Sequence, residues 1–129
     1  MKIREITDKH IVFDDGSMMY YDHSQECCEH NWADFEYIKH CNLSVTTGKI
    51  IDIMNVEFEP DIHKMFGGGV SKMGFILMSK DGDRFFVPCY SDQNGYYTDE
   101  LILYYINANG KVEAIDVTDF VEERCWLWQ

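Results

Sequence analysis

Four Asp-Gly or Asn-Gly steps punctuate this chain, at Asp15-Gly16, Asp81-Gly82, Asn94-Gly95 and Asn109-Gly110. Both residues of such a step tolerate positive φ, so between apolar segments it closes a β-hairpin. The flanking segments fit that reading. Lys2 to Ile6, Ile11 to Phe13 and Ser17 to Asp22 form an opening meander, with Met18, Met19, Tyr20 and Tyr21 on its returning strand. Met73 to Ser79 and Arg84 to Tyr90 flank the second turn, and Pro88 marks an edge or a bulge there. Tyr96 to Ile106 and Lys111 to Val117 flank the last turn. Lys49 to Phe58 is β-rich as well, as one bent strand or two.

Helical signals are few. Asn31 is placed to cap a short helix over Trp32 to His40, with Asp34 three residues on and Trp32, Phe35 and Ile38 recurring on one face. Thr118 opens a second, on which Val121, Cys125 and Trp128 share a face. His23 to His30 reads as a polar loop, and Pro60 to Val70 as irregular chain with a loop tip at Gly67-Gly68-Gly69. The expected fold class is α+β: a mainly antiparallel, curved β-sheet of about six to eight strands with two short helices. At 129 residues the whole chain, 1–129, is expected to form a single domain.

Composition narrows the functional classes. An aromatic content of 15% is too high for a disordered chain. The longest apolar run, Leu101 to Ile106, is far shorter than the ~18 residues of a membrane span. Met1 to Ile6 lacks the apolar region of a secretory signal, so a cytoplasmic location is expected. Asp and Glu outnumber Lys and Arg by 23 to 11, a net charge of −12. That balance argues against duplex nucleic acid, whose binding needs cations to displace phosphate counterions. It suits plain solubility or a basic protein partner.

The five cysteines are Cys27, Cys28, Cys41, Cys89 and Cys125. An odd number in a cytoplasmic setting points to free thiols rather than a disulfide framework. His23, Cys27, Cys28, Glu29 and His30, with His40 and Cys41 downstream, are all zinc-competent side chains. They contain no Cys-x₂-Cys pair, so core thiols beside surface histidines explain them as well. Cys28 with His23 or His30 would make a thiolate pair only if the fold brought them together. Gly67-Gly68-Gly69 lacks the Lys-Ser/Thr of a phosphate loop, and no hydrolase or metalloprotease motif is present. No catalytic residue, no metal and no cofactor is expected.

Asn94-Gly95-Tyr96-Tyr97-Thr98 follows the strand that carries Arg84 and Phe86. Amide, ring and guanidinium groups at the end of a strand suit a small planar ligand. A hairpin turn with core tyrosines is the plain alternative. The Trp126-Leu127-Trp128 tail either caps the core or packs against another subunit.

Tyr21 to Glu29 contains Asp22-His23-Ser24-Gln25-Glu26-Cys27-Cys28-Glu29, and Asn94-Gly95-Tyr96-Tyr97-Thr98 comes about 60 residues later. A D-H-x-Q-[DE]-C-C-E element followed by N-G-Y-Y-[ST] resembles a group of small phage and bacterial domains of unknown function. Among similar phage proteins are the anti-Thoeris sponges, which sequester a cyclic ADP-ribose-type signal and so blind a bacterial defence system. The resemblance implies a phage- or mobile-element-encoded, non-catalytic protein with counter-defence activity. It also implies a homo-oligomer, in the host cytoplasm, with a small nucleotide ligand. On that reading Phe86, Tyr96 and Tyr97 stack the base, Asn94 hydrogen-bonds it, Arg84 or Lys111 meets phosphate, and His23 joins a second polar pocket. One departure stands out: after Gly82 the only cations are Arg84, Lys111 and Arg124. Two other classes of function are weighed against it. The first is an acidic inhibitor that covers a basic surface of a host protein, such as a defence protein. The second is a metal-binding protein or thiol enzyme built on the His/Cys loop.

Thiol titration of the unfolded protein without reductant should find all five cysteines reactive, and elemental analysis should find no zinc. About one zinc per chain after purification without added metal would overturn this expectation.

Overall fold

The computed structural model describes residues 1–21, 29–42, 44–60, 74–93 and 101–116. Within them the chain is mostly antiparallel β. Strands β1 (Ile3–Ile6), β2 (His10–Phe13) and β3 (Met18–Tyr21) form the expected meander. Strands β7 (Ile102–Ile106) and β8 (Val112–Asp116) form a hairpin whose first strand pairs with β3. Together they make a five-stranded sheet in the order β1-β2-β3-β7-β8. Strands β4 (Glu29–Ala33), β5 (Gly74–Met78) and β6 (Arg84–Gln93) make a separate three-stranded sheet in the order β4-β6-β5.

Three of the four Gly steps close hairpins in the same way. Phe13 N–H donates to Ser17 O and Gly16 N–H to Phe13 O. The same pair of bonds recurs between Ser79, Asp83 and Gly82, and between Asn107, Lys111 and Gly110. The glycines sit at φ 88°, 87° and 86°, so each completes a three-residue loop by taking the left-handed conformation. Asn94-Gly95 lies outside the described residues.

The α+β expectation with two short helices is corrected. The described residues contain one α-helix, α1 (Glu36–Cys41), and a single 3-10 turn at Ile53–Asn55. The second helix, expected from Thr118, lies outside the described residues. The first starts four residues later than expected, because Asn31, Trp32 and Ala33 belong to β4. There they alternate buried, half-buried and buried against β6, a period of two. Asp34 marks the switch, accepting from Tyr37 N–H through its side chain at 3.2 Å. Asn42, at φ 47°, ends the helix after less than two turns. The expected strand at Lys49 to Phe58 is also absent: Asp52 accepts from Met54 N–H, and Asn55 bonds the other Asp52 oxygen at 2.6 Å. This local bonding competes with a ladder, and Phe58 keeps only an isolated bridge to Ser79.

The core lies between the inward faces of the two sheets. Phe58 stands edge-on to Phe13 of β2 and to Phe85 of β6, each at 6.1 Å between ring centres. Phe35 links Tyr21 of β3 to Phe75 of β5, at 5.8 and 6.4 Å. Each fully buried side chain of this kind stabilises by roughly 1.5–3 kcal/mol. Met1 is buried too, and its amino group donates to the Glu57 carboxylate and to Phe58 O. That hydrogen bond holds the Glu57 carboxyl below the usual carboxylate range.

Gly82→Ala is expected to cost about 1–2 kcal/mol, because its φ of 87° lies where a Cβ meets its own backbone. Gly82→Asn should cost less. Chemical denaturation of the three proteins checks the order.

Candidate functional site

Strand β6 is ten residues long, and its two halves have different partners. Arg84 to Pro88 pairs with β5, and Cys89 to Gln93 pairs with β4. Pro88 stands at the handover, in the middle strand of the sheet rather than at a sheet edge. Its carbonyl accepts from Asp34 N–H at 2.8 Å. Its missing N–H forfeits no ladder bond, because β4 has already ended at Ala33, opposite Cys89. The expected edge or bulge at Pro88 is therefore corrected: β6 is the middle strand, its register unbroken, and Pro88 is tolerated because each half of the strand pairs on one side only.

Alternation along β6 then sorts its side chains. Phe85, Val87 and Cys89 enter the core, while Arg84, Phe86 and Tyr90 are half-buried on the opposite face. Trp32 of β4 is opposite Tyr90, with ring centres 4.8 Å apart. Tyr37 of α1 meets the Phe86 ring edge-on at 6.5 Å. Ile76 faces Phe86 from β5 and is fully buried, yet stands outside the core cluster. An apolar, aromatic surface thus backs onto the core through one sheet.

Gly74 sets how the Phe86 ring lies. A Cβ at Gly74 would come within 2.1 Å of Val87 O and 2.8 Å of the Phe86 ring. Only hydrogen there lets the ring lie across the start of β5.

Arg84 stands at the other end of this face, opposite Met78. Its Nε is buried and meets no hydrogen-bond acceptor among the described residues. A buried donor without an acceptor costs roughly 1–3 kcal/mol, so such a group marks a place where an acceptor is wanted. Met78 also lines a hollow of about 290 Å³ with Glu59, Ser79, Lys80 and Gly82, formed where the β5–β6 hairpin turns. Lys80 in that lining has its ammonium 3.9 Å from Glu57.

The expected site residues separate accordingly. Arg84 and Phe86 share one face, two residues apart on β6. Lys111 is exposed at the β7–β8 turn of the other sheet, so the structure does not join it to them. His23, Asn94, Tyr96 and Tyr97 lie outside the described residues. Sequence reading misses Trp32 and Tyr37, since the helix expected over Trp32 to His40 puts Trp32 on a helix face. The alternation Asn31-Trp32-Ala33 was the available signal for the first.

The thiol and metal alternatives meet different limits. Cys89 is a free, fully buried thiol, and burial pushes its pKa up, away from the thiolate a nucleophile needs. Of the His/Cys loop, His23, Cys27 and Cys28 lie outside the described residues. No group of three metal-ligating side chains occurs among the described residues. No helix among them is long and apolar enough to cross a membrane.

A family model described as a domain of unknown function, DUF7448, matches residues 1–103. That span covers both sheets apart from the last residues of β7 and all of β8. No curated protein and no solved structure matches the chain.

Gly74→Ala should destabilise the fold by about 1–3 kcal/mol, the usual range for overpacking. Because the tightest contact is with backbone, adding Phe86→Ala should not restore stability. Thermal melting of the single and double variants is the check.

Proposed function

The chain belongs to the DUF7448 family, and from that premise we propose that it is a non-catalytic binding protein for a small planar anion of the nucleotide class. The observation that carries this reading is the unpartnered Nε of Arg84 on the same sheet face as Phe86. A guanidinium supplies planar, charge-assisted donors to phosphate oxygens. An aromatic ring two residues away supplies a stacking surface that tolerates any base.

The resemblance to the anti-Thoeris sponges supplies the finer part of the proposal. On it the protein is encoded by a phage or mobile element, works in the host cytoplasm and sequesters a cyclic ADP-ribose-type signal as a homo-oligomer. Asn94, Tyr96 and Tyr97 complete the base pocket on this reading, and the Trp126-Leu127-Trp128 tail is shared between subunits. Sequestration needs no bond-making step. It needs affinity and copy number alone.

One observation favours a second reading. The net charge of −12 gives long-range attraction to a basic host protein, which a ligand-binding role does not use.

Calorimetry with a panel of cyclic nucleotides and ADP-ribose isomers separates the two. The wild-type protein should bind at least one of them. Arg84→Gln should weaken that binding by about 1.5–3 kcal/mol, the range for a lost charged hydrogen bond, without lowering the melting temperature of the free protein, since it removes the unpartnered Nε. No heat from any compound with the wild type would remove the nucleotide reading and leave the acidic inhibitor in the lead.

A further inference from the structure

A chain end is ordinarily left to fray, but Met1 is taken up by the fold. Its side chain is 2% exposed. Met1 and Phe58 exchange both main-chain bonds: the Met1 nitrogen donates to Phe58 O at 2.9 Å, and Phe58 N–H donates to Met1 O at 2.7 Å. That is the hydrogen-bonded pair of an antiparallel ladder, one residue long. The same nitrogen makes a further bond that no ladder supplies, to the Glu57 carboxylate. An ammonium has hydrogens for both acceptors, whereas an amide nitrogen in the chain has one. At the far end of the residue, Sδ accepts from the Tyr105 hydroxyl at 3.6 Å, and the buried Ser17 hydroxyl lies 3.2 Å away. Charge, main chain and thioether each meet a partner.

This corner also joins the two sheets. Met1 leads into β1 of the five-stranded sheet. Phe58 bridges Ser79 beyond the end of β5, and Lys80 N–H donates to Glu57 O. Glu57 and Phe58 therefore stand between β1 and the β5–β6 hairpin.

We propose that the Met1 corner is a modification-sensitive site, shaped for a free α-ammonium, at which acylation of that nitrogen loosens the join between the sheets. It stands apart from the proposed ligand and from the oligomer. Transfer from an acyl thioester forms a C–N amide bond and breaks a C–S bond. Of the two protons that the ammonium gives up, one leaves on the thiol and one goes to solvent. The product is neutral and keeps one N–H. That hydrogen serves Phe58 O or the Glu57 carboxylate, not both. The acyl carbon must also enter the place of a hydrogen beside a buried main-chain bond. Lys80 does not stand in for the ammonium, since its Nζ is exposed and 3.9 Å from Glu57. The hydrogen bond from the amino group is the first cause of the lowered Glu57 carboxyl, and Lys80 contributes less.

Two measurements on the full chain test the site. In the first, folded and denatured protein are pulsed near neutral pH with an amine-acylating N-hydroxysuccinimide ester. Fragment mass spectrometry reads Met1 and Lys2 separately. Lys2 is exposed and should label in both states. Met1 should label about tenfold more slowly in the folded chain, because its nitrogen reacts only after local opening. In the second, chain acetylated at Met1 during expression is melted beside the free chain. Acetylation should lower the melting temperature by roughly 3–8 °C. In Glu57→Gln, which offers an acceptor without charge, acetylation should lower it by less. Glu57 is partly exposed, so this variant spares the core.

Equal labelling of Met1 in the two states overturns the site, and so does an acetylated chain that melts with the free one. A drop that Glu57→Gln leaves unchanged assigns the effect to bulk alone and overturns the recognition of charge. If the acetylated chain does not fold, the labelling ratio and a lower melting temperature of free Glu57→Gln than of free wild type stand as the test.

Discussion

The split pairing of β6 is the constraint on which the rest of the structure depends. One ten-residue strand gives its first half to β5 and its second to β4. The arrangement joins two distant parts of the chain into one sheet and positions α1 beside Phe86. It also fixes which side chains of β6 face the core. A slip of one residue would turn Arg84 and Phe86 inward and expose Phe85, Val87 and Cys89. Burial of those three side chains opposes such a slip.

Two sheets with a shared core leave two outer faces, and the chain treats them differently. One has rings, a glycine cut for one of those rings, and a guanidinium with an unanswered donor. The other has rows of aliphatic and aromatic side chains bounded by charges. The first is chemically suited to a small anion with a flat ring.

The acidic balance is a property of the whole surface rather than of either face. A net charge of this size favours solubility and works against non-specific contact with nucleic acid. In the hollow at the β5–β6 turn, Glu59 shares the lining with Lys80. An anion bound on the Arg84 face would meet that background, so shape and stacking would have to contribute much of its affinity.

Sequence alone determined the hairpins. Three Gly steps read as turns are turns, with the same bonds each time, because positive φ is a local property of the glycine in each. It also placed seven of the eight strands, though with shifted ends, because alternation is local too. It failed where local signals compete. Asn31 looks like a helix cap with Asp34 three residues on, and only pairing with β6 shows that Asn31 to Ala33 is strand. Pro88 reads as an edge, and only the handover between β4 and β5 explains a proline within a central strand. The joining of Arg84 with Phe86 was legible, since residues two apart on a strand share a face. The separation of Lys111, and the arrival of Trp32 and Tyr37, were not. Those depend on which strands meet, and that is decided by how the apolar faces of distant segments bury one another.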